Sequence, residues 1–184
     1  GWGGVVWKTL GEAGPPVVNV NGPRYGALLT PDRRLMGFNN IELITDRDLE
    51  LNLKEITEVK RNWSDRAMVV SLMVPCEEQS WKAILPRVED TGADGIELNF
   101  GCPHGMSERG MGAAVGQVPE YIEMVTAWCK QYSKLPVIVK LTPNITDIRM
   151  PARAAKKGGA RGHANVGDVG GEFDDDGQLA VLLA

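Results

Sequence analysis

The sequence predicts an α/β fold, and specifically a TIM (β/α)8 barrel of which this chain carries only part. Short apolar, β-rich runs alternate with helix-length amphipathic segments, which is the pattern of βαβ units and a parallel sheet. Glycine also follows two predicted helices, at 92 and at 158–159, just before an expected strand, as in the repeating unit of a barrel. The alternative is an open doubly wound sheet, but no GxGxxG turn follows the first strand.

Each predicted strand is a β-rich apolar run bounded by turn residues, and these runs lie at residues 4–9, 67–74, 95–100 and 137–141. The predicted helices have apolar residues at helical spacing and lie at residues 46–61, 80–90, 119–132 and 147–157. Residues 14–34 are rich in Gly, Pro and Asn, and we expect them to form an extended loop or hairpin near the active face.

A complete barrel needs about 250 residues, whereas only four βα units are clear here, with room for one more. The chain also opens on residues with strand character and no preceding start signal. We therefore expect an incomplete barrel, with the first strand and the C-terminal units missing. The exposed edges of such a sheet invite pairing with another chain, so the isolated protein is expected to be oligomeric or poorly soluble.

Composition excludes several classes of protein. The 184 residues are 43% hydrophobic and 24% charged, which is ordinary for a globular domain and unlike disordered or fibrous chains. The net charge of −4, with scattered Lys and Arg, indicates no nucleic-acid surface, and no apolar run approaches the roughly 20 residues of a membrane span. Three widely spaced cysteines fit neither a metal motif nor a disulfide framework, so no metal and a reducing, cytoplasmic location are expected.

Polar side chains follow the predicted strands, where barrel enzymes place their reactive groups. Lys8 ends the first strand and Lys140 ends the fourth. Two lysines that converge on one mouth can hold an anionic cofactor; the alternative is that both only face solvent. Lys140 follows an apolar run, so its ammonium would be desolvated and would need an anion or several acceptors.

Cys102 lies outside any apolar run, on a glycine-rich loop that is expected to be mobile and exposed. A thiol there can give a proton to a ligand, and the competing chemistry is a nucleophile with His104 as its base. Cys76 and Cys129 are interpreted as packing residues. Asn40 and Asn99 can pair with the amide edges of a planar heterocycle, because an asparagine side chain offers a donor and an acceptor together.

The segment 99–112, Asn-Phe-Gly-Cys-Pro-His-Gly-Met-Ser-Glu-Arg-Gly-Met-Gly, resembles the active-site loop of dihydropyrimidine dehydrogenases. The resemblance extends through residues 1–9, 40–44, 92–98 and 140–147. The related dihydroorotate dehydrogenases share the barrel but usually have Pro-Asn where this chain has Pro-His-Gly-Met. Gly101 stands where the family usually has serine, which removes a hydroxyl that can touch substrate.

The resemblance implies an NAD(P)-dependent oxidoreductase of pyrimidine catabolism that reduces the 5,6 double bond of uracil or thymine. The residues it places against FMN are Lys8, Asn40, Asn99 and Lys140. The residues it places against the pyrimidine are Asn40, Glu42, Ile44, Asn99 and Gly101. Cys102 would be the general acid, giving a proton to carbon-5 while hydride from the flavin reaches carbon-6. Electrons would come from NAD(P)H through FAD and iron–sulfur clusters in a partner domain or subunit.

The resemblance divides the chain into a partial FMN-binding barrel at 1–160 and a tail at 161–184 that does not match the family. The family continues into a strand that ends in Asn-Thr, which neither 161–168 nor the acidic 174–176 follows. We expect a frameshift or mispredicted gene end, with the phosphate-binding strands missing. Two alternatives stay open: a dihydroorotate dehydrogenase-type flavoenzyme, and an inactive, truncated fragment.

Overall fold

The computed structural model describes residues 1–12, 22–103, 110–142 and 144–160, and the backbone alone of 162–164 and 179–183. The strands and helices, numbered along the chain, are β1 Gly4–Leu10, β2 Tyr25–Leu29, β3 Leu35–Asn40, α1 Leu49–Asn62, β4 Ala67–Leu72, α2 Glu78–Glu89, β5 Gly95–Asn99, α3 Ala113–Gly116, α4 Pro119–Tyr132, β6 Val137–Leu141, α5 Arg149–Lys157, β7 Gly162–Ala164 and β8 Leu179–Leu183.

The main sheet has six strands in the order β1, β4, β5, β6, β8, β7, and every neighbouring pair is parallel. From β1 to β6 the strands follow chain order with a helix between successive strands, as in a (β/α) barrel. The prediction of a partial barrel is confirmed. Beyond residue 160 the order changes, because β8 lies between β6 and β7. The division of the chain at residue 160 stays a prediction.

The predicted strands and helices all form, with small shifts at their ends. Helix α1 begins later than predicted because the side chain of Asp48 caps it, accepting the backbone N–H of Glu50 at 2.7 Å. The glycines that follow α2 and α5 have the expected role. Gly92 has φ +79° and Gly159 has φ +96°, a left-handed conformation that glycine adopts without steric cost.

The predicted loop or hairpin is, in its described part, a hairpin of the antiparallel strands β2 and β3. It reaches further than predicted, since β3 continues to Asn40. Residues 14–21 of the predicted segment lie outside the described residues. Tyr25 pairs with Asn40 at the open end of the hairpin. Asn40 also lines the cavity at the carboxyl ends of the barrel strands.

The two faces of the sheet differ in character because side chains alternate along each strand. One face packs against α1, α2, α4 and α5 and is apolar. Its largest buried side chains include Leu72, Ile96, Leu98 and Leu141, with Trp81 and Ile122 from the helices. The other face carries polar groups toward the inside of the partial barrel. Within the described residues, no helix is long and apolar enough to cross a membrane.

Candidate active site

A cavity of about 470 Å³ opens at the carboxyl ends of β1, β4, β5 and β6. This volume lies within the range of small-molecule binding sites. All eight residues predicted from the sequence to bind cofactor or substrate or to donate a proton line it, namely Lys8, Asn40, Glu42, Ile44, Asn99, Gly101, Cys102 and Lys140. Other lining residues were not predicted from the sequence, among them Thr9, Ser71 and Glu97.

A bulge in β1 shapes one wall of the cavity. The register with β4 shifts between Trp7 and Leu10, so β1 carries one extra residue there. Such a bulge re-aims side chains that would otherwise point to opposite faces. As a result both Lys8 and Thr9 line the cavity, and the hydroxyl of Thr9 lies 2.8 Å from that of Ser71.

Glu97 lies at the centre of the polar face, and its side chain is only 5% exposed. One carboxylate oxygen, Oε1, accepts a hydrogen bond from the Ser71 hydroxyl at 2.7 Å and lies 3.3 Å from Nζ of Lys140. Lys140, 23% exposed, therefore has the anion that its desolvated position requires. A glutamate within the apolar strand 95–99 was the available sequence signal, because a buried carboxylate needs a partner.

Asn99 ties the network to the loop that follows β5. Its Nδ2 donates to Oγ1 of Thr9 at 3.0 Å, and its Oδ1 accepts from the backbone N–H of Gly101 at 3.2 Å. These two bonds fix the plane of the amide. The amide has a second N–H and a second lone pair on its oxygen, and both can bond to a ligand in the cavity.

Lys8 and Glu42, predicted to contact cofactor and substrate respectively, contact each other. Nζ of Lys8 lies 2.6 Å from Oε2 of Glu42, and the Tyr25 hydroxyl donates to the other carboxylate oxygen at 2.8 Å. The hydrogen bond from Lys8, followed by that from Tyr25, lowers the pKa of Glu42. The hydrogen bond between the Tyr25 hydroxyl and Glu42 raises the pKa of Tyr25. The cavity thus holds two lysine–glutamate pairs, one exposed and one largely buried.

Cys102 is less exposed than expected. Its side chain is half-buried and packs against a small cluster of Ile44, Met73 and Met111. Sγ lies 4.0 Å from the backbone carbonyl oxygen of Glu42, a geometry in which the thiol is the donor. The expectation of an exposed thiol was wrong because the start of the loop folds back onto this cluster. His104 lies outside the described residues, so the nucleophile alternative is not tested.

Backbone contacts hold both described ends of the Cys102 loop. The carbonyl of Cys102 accepts the N–H of Ala113 at 3.0 Å, and the carbonyl of Gly110 accepts the N–H of Cys76 at 3.2 Å. Gly112 has φ +55°, and a Cβ there would lie 2.4 Å from the carbonyl oxygen of Cys102. A glycine is therefore required at this position for the backbone to place Cys102 at the cavity.

The other two cysteines lie away from the cavity. Cys129 is fully buried in the core, and burial strongly raises its pKa. Cys76 is half-buried, and burial followed by the charge of Glu77 raises its pKa. Both are free thiols, in keeping with their interpretation as packing residues. The described part of the chain contains no group of His, Cys, Asp and Glu side chains able to hold a metal ion.

Enzymes built on a (β/α) barrel have their active sites at the carboxyl ends of the strands, and the position and polarity of this cavity place the chain in that class. Residues 34–168 match the model of the dihydroorotate dehydrogenase family. The chain belongs to this family of flavin-dependent oxidoreductases.

Similar proteins include both dihydropyrimidine and dihydroorotate dehydrogenases. The chain is 43% identical over 174 residues to the chloroplastic dihydropyrimidine dehydrogenase (NADP(+)) of Arabidopsis thaliana, covering 92% of this chain and 41% of the relative. It is 41% identical over 169 residues to the NAD-dependent dihydropyrimidine dehydrogenase subunit PreA of Escherichia coli K12, covering 92% and 40%. Identity to the dihydroorotate dehydrogenase B (NAD(+)) catalytic subunit of Methanosarcina mazei is 33% over 169 residues, covering 87% and 47%. The chain thus spans less than half the length of these relatives.

The residues around the cavity suit a flavin. The flavin ring is planar, with apolar faces and an edge of carbonyl oxygens and ring nitrogens that gains charge on reduction. The cavity supplies apolar surface from Val6 and Ile44, and ammonium groups from Lys8 and Lys140. Protein charge close to the ring nitrogens is one means by which flavoproteins tune the cofactor. The donor set therefore fits the cofactor that the family uses.

Proposed function

We propose that this chain is the FMN-binding catalytic part of a dihydropyrimidine dehydrogenase, which reduces the 5,6 double bond of uracil or thymine. Among matches that cover 87–92% of the chain, identities of 43% and 41% to dihydropyrimidine dehydrogenases, against 33% to a dihydroorotate dehydrogenase, support this choice. So does the Pro-His-Gly-Met segment at 103–106. Electrons reach the flavin from NAD(P)H through FAD and iron–sulfur clusters of a partner domain or subunit, and the free cysteines suit a cytoplasmic enzyme.

One observation carries the proposal: a hydrogen-bonded network across four strand ends surrounds the same cavity as the Cys102 thiol. The network runs from Thr9 through Ser71 and Glu97 to Lys140, each from a different strand. Rigid strands position such groups more accurately than loops do. FMN, when bound, supplies the hydride for carbon-6 of the pyrimidine. We assign Lys8, Lys140, Asn40 and Asn99 to holding it.

Cys102 supplies the proton that carbon-5 needs when the double bond is reduced. Its Sγ faces the backbone carbonyl of Glu42, an acceptor too weakly basic to remove the proton. The thiol can therefore pass its proton to the substrate. The apolar contacts with Met73 and Met111 shield the thiol from water, as a site handling a reduced flavin requires.

The pyrimidine itself presents carbonyl oxygens and ring N–H groups in alternation. Asn40 and Asn99 match this pattern because each side-chain amide carries both a donor and an acceptor. Glu42 can accept from a ring N–H, and Ile44 contributes apolar surface beside the ring. Gly101 lines the cavity next to Cys102.

The experiment is anaerobic reoxidation of the FMN-loaded, reduced chain by uracil, thymine or orotate, followed by flavin absorbance. Uracil or thymine is expected to restore the oxidised spectrum, and orotate is not. Cys102→Ala should slow reoxidation about 10² to 10⁴-fold, the usual size of general acid catalysis, while Cys76→Ala, a matched cysteine removal outside the cavity, should not. Equal rates for Cys102→Ala and wild type would refute the proton-donor role.

The second candidate is a dihydroorotate dehydrogenase-type enzyme, which the family match itself favours. Its barrel, cavity and cysteine-bearing loop would be the same, so the fold cannot separate the two. Reoxidation by orotate alone would establish this candidate and reject the first.

A further inference from the structure

Glu97 is a buried carboxylate at the cavity to which the proposed reaction assigns no role. It lies on β5 between the apolar residues Ile96 and Leu98, which face the helices on the other side of the sheet. Its own side chain faces the cavity and is 5% exposed. A carboxylate in such a position costs free energy unless it is paired and hydrogen-bonded, so its presence needs a reason.

The contacts of Glu97 connect it directly to Lys140. The carboxylate lies 3.3 Å from the ammonium and accepts a 2.7 Å hydrogen bond from Ser71. It therefore fixes Lys140 in place and also offsets the lysine's positive charge. The other charged groups lining the cavity are Lys8 and Glu42, which also pair with each other. The described lining thus carries as many carboxylates as ammonium groups.

This balance of charge affects the stability of bound reduced flavin more than that of bound oxidised flavin. Reduction adds electrons to the ring system, and the reduced flavin is an anion near neutral pH. An ammonium without a counter-ion would favour that anion strongly, since charges interact over several ångströms at the edge of a protein. A carboxylate beside the ammonium weakens this preference and so lowers the reduction potential.

We propose that Glu97 is a positioning residue for Lys140 that sets the reduction potential of the bound flavin, an inference that rests on the proposed function. Glu97 holds Lys140 in place by the salt bridge, with its ammonium at the cavity, while its charge keeps the flavin a ready hydride donor. Ser71 moderates the effect, because its hydroxyl withdraws part of the carboxylate's charge from Lys140.

The test is the ratio of the affinities for reduced and oxidised FMN, measured as the equilibrium potential of the FMN-loaded chain against a reference dye. Glu97→Gln removes the charge and keeps the shape, and should favour reduced FMN by about tenfold or more, about +30 mV for a two-electron couple. Asp94→Asn is the matched control. It removes a carboxylate that also pairs with a lysine, Lys60 at 2.7 Å, at the opposite end of β5, and should change the ratio less than about twofold.

The Ser71→Ala variant tests the inference independently, because the ratio of the two FMN affinities should shift in the opposite direction. Without the hydroxyl, Glu97 acts more strongly on Lys140, so the preference for reduced FMN should fall about threefold. If Glu97→Gln does not accumulate as folded protein, Ser71→Ala decides alone. A Glu97→Gln shift no larger than that of Asp94→Asn, or shifts of the same sign in Glu97→Gln and Ser71→Ala, would overturn the inference while the proposed function stands. A wild-type chain that binds no FMN would overturn both.

Discussion

Replacing Gly112 by alanine tests how the loop after β5 places Cys102. Gly112 has φ +55° and ψ −125°, and an added Cβ would lie 2.4 Å from the carbonyl oxygen of Cys102 and 2.8 Å from the sulfur of Met73. The backbone conformation alone costs an alanine about 1–3 kcal/mol, because it lies outside the regions that L residues favour. Relieving the clash costs about 1–3 kcal/mol more, as in other over-packed sites.

Gly110 is the matched control on the same loop. It has φ +67°, but an added Cβ would meet no atom within 4 Å. Gly110→Ala should therefore lose only a similar backbone contribution of about 1–3 kcal/mol. In a chain of this size each kcal/mol lowers the melting temperature by about 2–4 °C, so the Gly112→Ala variant should melt about 2–12 °C below the Gly110→Ala variant.

The Gly112→Ala and Gly110→Ala variants should differ more in activity than in stability. The clash at Gly112 is with the backbone of Cys102 itself, and a displacement of about 1 Å at a reacting group costs about 10²-fold in rate. Thermal unfolding by circular dichroism and flavin reoxidation by uracil measure the two effects on the same samples. Equal melting temperatures and equal rates for the two alanine variants would refute the claim that Gly112 is needed to position Cys102.

Three further outcomes are expected. The pKa of Glu89 is lowered, chiefly by the hydrogen bond from Ser133, so the carboxylate stabilises the fold above about pH 4.3 and this contribution is lost as the pH falls through the lower, folded-state pKa. The free energy of unfolding of Glu89→Gln, measured with urea, should therefore lie below that of wild type at neutral pH. The two values should converge in acid. Iodoacetamide followed by mass spectrometry should label the half-buried Cys102 before the core residue Cys129, and the opposite order would contradict the packing described for both. Because β1 is an edge of the described sheet, light scattering should find an oligomer, and a stable monomer would count against pairing at that edge.

The sequence predicted the position of the site well because parallel strands end at a common edge. Lys8, Asn99 and Lys140 come from three separate runs of the chain, and their convergence follows once those runs are placed side by side in one sheet. Asn40 and Glu42 were different. Asn40 ends a hairpin and Glu42 follows it, and no pattern predicts the path of that hairpin over the strand ends. The side-chain amide suggested Asn40 as a ligand group, but only the family resemblance pointed to Glu42.

The sequence could not predict which side chains meet inside the cavity. The contact of Glu97 with Lys140 depends on the register of β5 against β6, which pairs Asn99 with Lys140. Thr9 lines the cavity together with Lys8 because a bulge shifts the register of β1 by one residue. Register arises from packing across the whole sheet, and a local pattern carries little information about it.

A titration of the chain with FMN, followed by flavin absorbance and fluorescence, tests the central claim most directly. Wild type should bind FMN saturably with a perturbed visible spectrum, and added uracil should perturb that spectrum again. Lys140→Met, which removes the ammonium and keeps the length of the side chain, should weaken FMN binding by about tenfold or more, because a contact to a charged group contributes about 1.5–3 kcal/mol. No saturable change in wild type, or equal binding by the two proteins, would contradict the assignment of this cavity to the flavin.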